Sequence, residues 1–325
     1  MRERKDFLMD EGMEWHTPVR KANFPGSLVV AAVACLVWAV AVTAIAQEWT
    51  FRFNPTDNTT FVETVKETSV QDLGALGKRT QVTEAKTRVT MKKTPEGYSV
   101  LTTPLSVRVT RDGQEVQDPL LSAMLKWTIT YQLGPDGKLQ RIQGYDAVVN
   151  SLKQSLSPEA AQALSSVLSE EVMASSDKDD WNKRTGNFIG RKVNLGDVWT
   201  ESESESLPMG GNAVFFTATR FAEQAQCGGN ECVRVQFSSH TDPNALKEFA
   251  GKFAGELAKL ARTAVAGAPG VEVSGSGERL VDPSTMLIYS ETTTQTIKLP
   301  IDAPGWGKIS ASLQEKKEYT YDYGQ

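Results

Sequence analysis

Leu125-Lys126-Trp127-Thr128-Ile129-Thr130-Tyr131-Gln132-Leu133 alternates apolar and polar side chains without a break, and Gly134-Pro135-Asp136-Gly137 follows it directly. Successive side chains of a strand point to opposite faces, so Leu125, Trp127, Ile129, Tyr131 and Leu133 share an apolar face while the residues between them face water. The Gly-Pro-Asp-Gly run is a turn, and residues 139–143 return as the hairpin partner.

The same period of two recurs along the chain. Leu105, Val107 and Val109 alternate ahead of the turn residues Arg111-Asp112-Gly113. Further strands are expected over 50–53, 60–67, 80–92, 99–102, 213–221, 232–238, 271–280, 285–296 and 309–323. Connections this short require antiparallel pairing, and the threonine-rich faces should be solvated. Two amphipathic helices are predicted to interrupt the strands. In the first, Ser157 is the N-cap and Pro158 the first helical residue, with Ala160, Leu164, Val167 and Leu168 as the apolar stripe. The second opens at Asp242-Pro243 and carries Leu246, Phe249, Phe253, Leu257 and Leu260 on one side. The fold class is therefore α+β and dominated by antiparallel β structure. The two halves are loosely alike, each with strands followed by a hairpin around a glycine-containing turn, at 134–137 and at 275–284.

Residues 28–46, LVVAAVACLVWAVAVTAIA, carry no charge and follow Arg20 and Lys21. As a helix the stretch is roughly 28 Å long, close to the ~30 Å of a bilayer's hydrocarbon core. Small residues at Ala44 and Ala46 suit cleavage before Gln47, as in a signal peptide; the length suits a retained transmembrane anchor. Either way Arg20 and Lys21 keep residues 1–27 in the cytoplasm, and residues 47–325 form an extracytoplasmic domain, periplasmic or secreted. Residues 1–27 have no apolar face and read as disordered. Cys35 follows Ala32-Val33-Ala34, a loose lipobox, but the apolar run continues past it, against lipidation.

Cys227 and Cys232 flank Gly228-Gly229-Asn230-Glu231 between two strand candidates. Glycine and asparagine tolerate positive φ, so the chain can reverse there and bring the sulfurs together, and a Cys227–Cys232 disulfide is expected. Zinc is the weaker reading, because beyond these two thiols the exported part offers one histidine, His240.

The segment Lys192-Val193-Asn194-Leu195-Gly196-Asp197-Val198-Trp199, with the later Gly275-Ser276-Gly277-Glu278-Arg279-Leu280-Val281-Asp282, resembles a family of bacterial exported envelope proteins of unknown function, over roughly residues 50 to 323. More distantly, long antiparallel strands with inserted helices are similar in architecture to periplasmic lipoprotein carriers. That resemblance implies a curled, half-barrel-like sheet with an apolar concavity, and no catalytic residues.

Reactive chemistry is scarce. His240 with Asp242 suggests a catalytic pair, but Asp242 is better placed as a helix cap. Ser175-Ser176-Asp177-Lys178 has the Ser-x-x-Lys spacing without its companion motifs and reads as a polar loop. Glu170, Glu171, Asp177, Asp179 and Asp180 lack the glycine-pinned spacing of a cation loop and read as a solvated acidic surface. Trp127, Trp181, Trp199 and Trp306 are candidates to line a pocket or close a core. No catalytic residue, cofactor or metal is assigned. With 35 basic against 40 acidic residues the chain has no footprint for nucleic acid. Two functions remain: a binding protein for a lipid or other apolar small molecule, and a non-enzymatic envelope protein acting on a protein partner through its sheet edges. The membrane itself is a partner through residues 28–46 if they are not cleaved.

Overall fold

The structure, a computed structural model, describes residues 48–72, 74, 77–116, 125–155, 169–206, 212–241, 246, 271–303 and 307–324. All fall within one compact unit, Ile45–Gln325. Residues 1–46, most of the two helices expected to open at Ser157 and Asp242, and Trp306 lie outside the described residues. Among the described residues no helix is long and apolar enough to cross a membrane.

In chain order, β1 (Trp49–Thr50) precedes a meander of β2 (Thr59–Asp72), β3 (Lys78–Thr94), β4 (Gly97–Arg111), β5 (Gln114–Glu115), β6 (Ile129–Leu133) and β7 (Leu139–Gln143). Helices α1 (Tyr145–Ser155) and α2 (Glu170–Trp181) follow, the latter running into a π-helical turn, Asn182–Gly186. After β8 (Lys192–Val193) comes a second meander of β9 (Val198–Ser206), β10 (Asn212–Cys227), β11 (Asn230–Thr241), β12 (Glu272–Val281), β13 (Ile288–Ala303) and β14 (Gly307–Asp322). Twelve strands form one antiparallel sheet in the order β7-β6-β4-β3-β2-β14-β13-β12-β11-β10-β9, with β5 beside β4. The two meanders meet where β2 pairs with β14, Val62 opposite Asp322. The sheet is not closed, and β7 and β9 are its edges.

The alternation that sets the phase of β6 does not set its length. Only residues 129–133 are strand; Leu125 and Lys126 form a turn, and Leu125 is exposed. The β4–β6 ladder runs from Tyr98–Leu133 to Thr102–Ile129, so earlier residues have no partner in it. Residues 99–102 and 105–109, expected as two strands, are one, because β3 pairs with β4 along the whole of 97–111. Pro104 lies past the reach of β6, where a missing N–H costs no ladder bond. The second half also departs from the expected hairpin at 275–284. Gly275 and Gly277 are mid-strand in β12, and the reversal is made by residues 282–287, where Asp282 accepts from the Ser284 and Thr285 hydroxyls.

Into one face of the sheet is inserted the segment around β1. Trp49 pairs with Val193, the Phe51 N–H donates to the Arg191 carbonyl at 3.0 Å, and the Arg52 N–H donates to the Pro283 carbonyl at 2.8 Å. Phe51 is wholly buried; its ring lies 5.2 Å from Phe221 of β10 and 5.7 Å from Phe188. Phe53, two residues on, meets Tyr98 of β4 at 5.0 Å and Trp181 at 5.7 Å. In sheet order β4 and β10 are seven strands apart, roughly 34 Å across a flat sheet at about 4.8 Å per strand. Residues 51 and 53 are at most about 7 Å apart. Both contacts exist only because the sheet curls around the inserted segment. Gly137 makes room for it, since a Cβ there would stand 2.3 Å from the Phe53 side chain.

Cys227 and Cys232 lie at disulfide distance across the β10–β11 turn, with a Cα separation of 5.9 Å and with Gly228 and Gly229 at positive φ.

Because Phe51 joins the inserted segment to the second meander, Phe51→Ala should cost about 3–5 kcal/mol of unfolding free energy. Urea denaturation checks this: the midpoint should fall with an unchanged m-value, and a loss under 1 kcal/mol would contradict the role given to this ring.

Candidate functional site

On the inner face, strand alternation aligns Tyr319, Glu291, Arg279 and Val235 across β14, β13, β12 and β11, and places Glu63 opposite Tyr321. Arg184, projecting from the π-helical turn, completes a charge network with these residues. Its Nε donates to Glu291 at 3.1 Å, and its terminal nitrogen donates to Glu63 at 3.1 Å and to the Tyr321 hydroxyl. Arg279 binds the other Glu291 oxygen at 2.9 Å and the Arg184 carbonyl at 2.6 Å. Its guanidinium lies 5.5 Å from the Phe188 ring, while Arg184 sits 4.5 Å over Tyr319. The Arg279 Nε is buried and has no hydrogen-bond partner among the described residues.

Glu291 is the hub, with 4% of its side chain exposed. Burial works against its charge, but Arg279 and Arg184 outweigh it and hold the carboxyl below its ordinary value. Arg184 is likewise opposed by burial, and Tyr321, Glu291 and Glu63 raise it further above an already high value.

The run 175–178, expected as a polar loop, is helical, and the carboxylates expected as a solvated acidic surface lie on the same helix, with Glu170, Glu171 and Asp179 exposed. Ser169 caps α2, its Oγ accepting from the Val172 N–H at 3.2 Å, and Glu170 and Glu171 occupy the favourable first turn. Asp177 faces the sheet and accepts from the hydroxyls of Tyr131, at 2.5 Å, and Tyr145. Both tyrosines are pushed well up, chiefly by burial and then by Asp177. Asp180 is also raised, by burial first, with Asp177 adding to it against Lys183 and Arg184.

Two cavities flank Arg184 and Asp180, which line both. The smaller, about 240 Å³, has apolar walls of Phe53, Phe61, Val89, Met91, Val100 and Ile288, with Trp181 and Tyr323 beside them, and a polar side at Glu63, Thr102, Asp177 and Thr185. The larger, about 420 Å³, lies over the second meander and has a mixed lining, in which Phe188, Trp199 and Phe237 alternate with Thr217, Ser239, Thr293 and Gln295.

Of the tryptophans singled out in the sequence, Trp181 and Trp199 line these cavities, whereas Trp127 packs with Ile129, Tyr145 and Val148. His240 is exposed and stacks on Phe216 at 5.6 Å; Asp242 lies outside the described residues. Ser175 and Lys178 are on α2, not in a loop. The sequence reading passed over Glu63, Arg184, Arg279, Glu291 and Tyr321. One signal was present, for Glu63 stands between Phe61 and Val65 in the apolar phase of β2, where a charge requires a buried partner.

Glu291→Ala leaves two cations sharing no hub and should cost about 3–5 kcal/mol. A carboxyl held below its ordinary 4.5 stabilises the fold above that value and ceases to do so as the pH falls through its folded value. Urea denaturation from pH 6 down to pH 3 should therefore be less pH-dependent in Glu291→Gln than in the parent; identical profiles would refute the network. At the alkaline end, six of the seven tyrosines (98, 131, 145, 319, 321 and 323) are raised, burial being the largest cause in each. Their contribution is whole below pH 10 and is lost as the pH rises beyond it. Phenolate absorbance should thus appear together with loss of the far-UV β signal; full ionisation of a folded protein would contradict this burial.

The profile of the Family of unknown function (DUF6263) matches residues 86–217, from β3 to β10, so over this stretch the chain is similar to a family of unknown function, as the sequence resemblance implied. No curated protein matches the sequence. Among solved structures, one titled for lipid–protein interactions in lipovitellin is similar at a TM-score of 0.44 and 9% identity, covering 82% of this chain; the chain spans 25% of that protein's length. DynF, from the dynemicin biosynthesis pathway of Micromonospora chersina, aligns over 86% of both chains at 9% identity with a TM-score of 0.19.

Proposed function

We propose that this chain is a non-catalytic extracytoplasmic binding protein that shelters the apolar part of an amphipathic ligand within its curled sheet. The smaller cavity carries the proposal. Its aliphatic and aromatic walls come from β2, β3, β4 and β13, and it lies beneath the inserted segment, where an apolar chain gains from leaving water. At about 240 Å³ it is below the roughly 300–1,000 Å³ of sites that enclose a whole small molecule, so it suits one end of a ligand. Export is supported by the uncharged stretch 28–46 and by a cysteine pair at bonding distance, which persists in oxidising compartments.

Contact with a protein through the sheet edges has less support. β7 is five residues long, and the edge strand β9 reads Glu-Ser-Glu-Ser-Glu-Ser from 201 to 206, a charged pattern that discourages strand addition.

Native mass spectrometry of protein purified without detergent and exposed to a total lipid extract should reveal a bound species, accompanied by a raised melting temperature. Met91→Trp, which fills the cavity, should lose both while keeping its far-UV spectrum. An unliganded mass and an unmoved melting temperature would overturn the reading.

A further inference from the structure

We infer that the larger cavity takes an uncharged, hydroxyl-rich head, a glycosyl unit, belonging to the same ligand whose apolar end occupies the smaller one; this rests on the binding reading above. Arg184 and Asp180 line both chambers, which therefore lie side by side, and the proposed ligand reaches across this shared wall. At about 420 Å³ the larger chamber falls within the range of small-molecule sites.

Its charges argue against an ionic head. The lining holds four cations, Lys183, Arg184, Arg279 and Lys317, and four anions, Asp180, Glu201, Glu291 and Glu315, which sum to zero. Arg184 and Arg279 are engaged by Glu291, and Lys317 by Glu67 at 3.4 Å. A phosphate or carboxylate arriving here would have to displace these pairs. It would also meet the carboxylates of Asp180 and Glu315, which line the same chamber. A cationic head fares no better beside four cations.

The rest of the lining has the chemistry of a sugar site. Thr217, Ser239, Thr293 and Gln295 both donate and accept, as hydroxyl groups of a ligand require, and their side chains make no hydrogen bond to another described residue. Trp199 and Phe237 border the chamber with ring surface against which the C–H face of a pyranose packs, each ring also lying near a guanidinium, Arg191 at 4.9 Å and Arg279 at 5.9 Å. The floor is kept clear by glycine. A Cβ at Gly277 would stand 2.5 Å from the Phe237 ring, and one at Gly275 would stand 2.5 Å from the Ser239 hydroxyl, so side chains there would push both groups out of place.

Three probes with one decyl chain separate the possibilities by calorimetry below their micellar concentrations: decyl maltoside, decyl phosphate and decyltrimethylammonium. The maltoside should bind at least tenfold more tightly than either charged probe. The double variant Thr293→Val, Gln295→Leu should reduce that preference about tenfold, consistent with two lost hydrogen bonds. Thr320→Val, exposed on the outer face, should leave it intact. A charged probe binding as tightly as the maltoside, or a preference that survives the double variant, would overturn the glycosyl assignment alone. Failure of all three probes to bind would overturn the binding reading as well.

Discussion

Two guanidinium groups, one carried by the sheet at Arg279 and one by the π-helical turn at Arg184, share the buried carboxylate of Glu291. A charge withdrawn from water is tolerated only beside its opposite, so this arrangement ties the register of β12 to that of β13 and ties both to the turn after α2. Glu63 and Tyr321 extend the tie to β2 and β14, where the two meanders join. A slip of one residue along any of these strands would turn its polar group to the outer face and leave its partners charged and alone.

Around that fixed point the inner face is graded. On one side lie the aromatic contacts of Phe51, Phe53 and Phe221 and the apolar walls of the smaller cavity. On the other side hydroxyls and an amide replace them, at Thr217, Ser239, Thr293 and Gln295. The outer face is wet and bears ordinary cross-strand pairs, such as Arg234 with Glu223 and Glu278. Two environments on one side of one sheet suit a ligand with two ends better than a uniform apolar tail.

Much of the architecture was legible in the residues. Period two along Leu139–Gln143, Cys232–Ser238 and Ile309–Tyr323 located strands, and Gly228-Gly229 located a turn, because these depend on neighbours in sequence. The limits of β6 and β4 were not legible, since the extent of a ladder is set by the partner strand. Helix α2 was hidden by its composition. The face it turns to the sheet holds Met173, Ala174, Asp177 and Trp181, and an aspartate in that stripe reads as solvent-facing until Tyr131 and Tyr145 are placed opposite it. The charge network is more hidden still, for Glu63, Arg279 and Glu291 come together only once β2, β14, β13 and β12 have paired in register and Arg184 has been laid over them.

The seam between β2 and β14 has a consequence for the order of events in folding. Within each meander most neighbouring strands, such as β2 and β3, β10 and β11, or β13 and β14, follow one another closely along the chain, and such pairs form early and locally. β2 waits for β14, whose residues lie at the far end of the domain. The half-sheets thus each hold an unpaired central edge until β14 has been made and has paired with β2, and during that interval both edges are open to pairing with a neighbouring molecule. The Lys66, Glu67, Lys316, Lys317 and Glu318 side chains along these two strands place charge on both edges during that exposure, as gatekeepers against self-association.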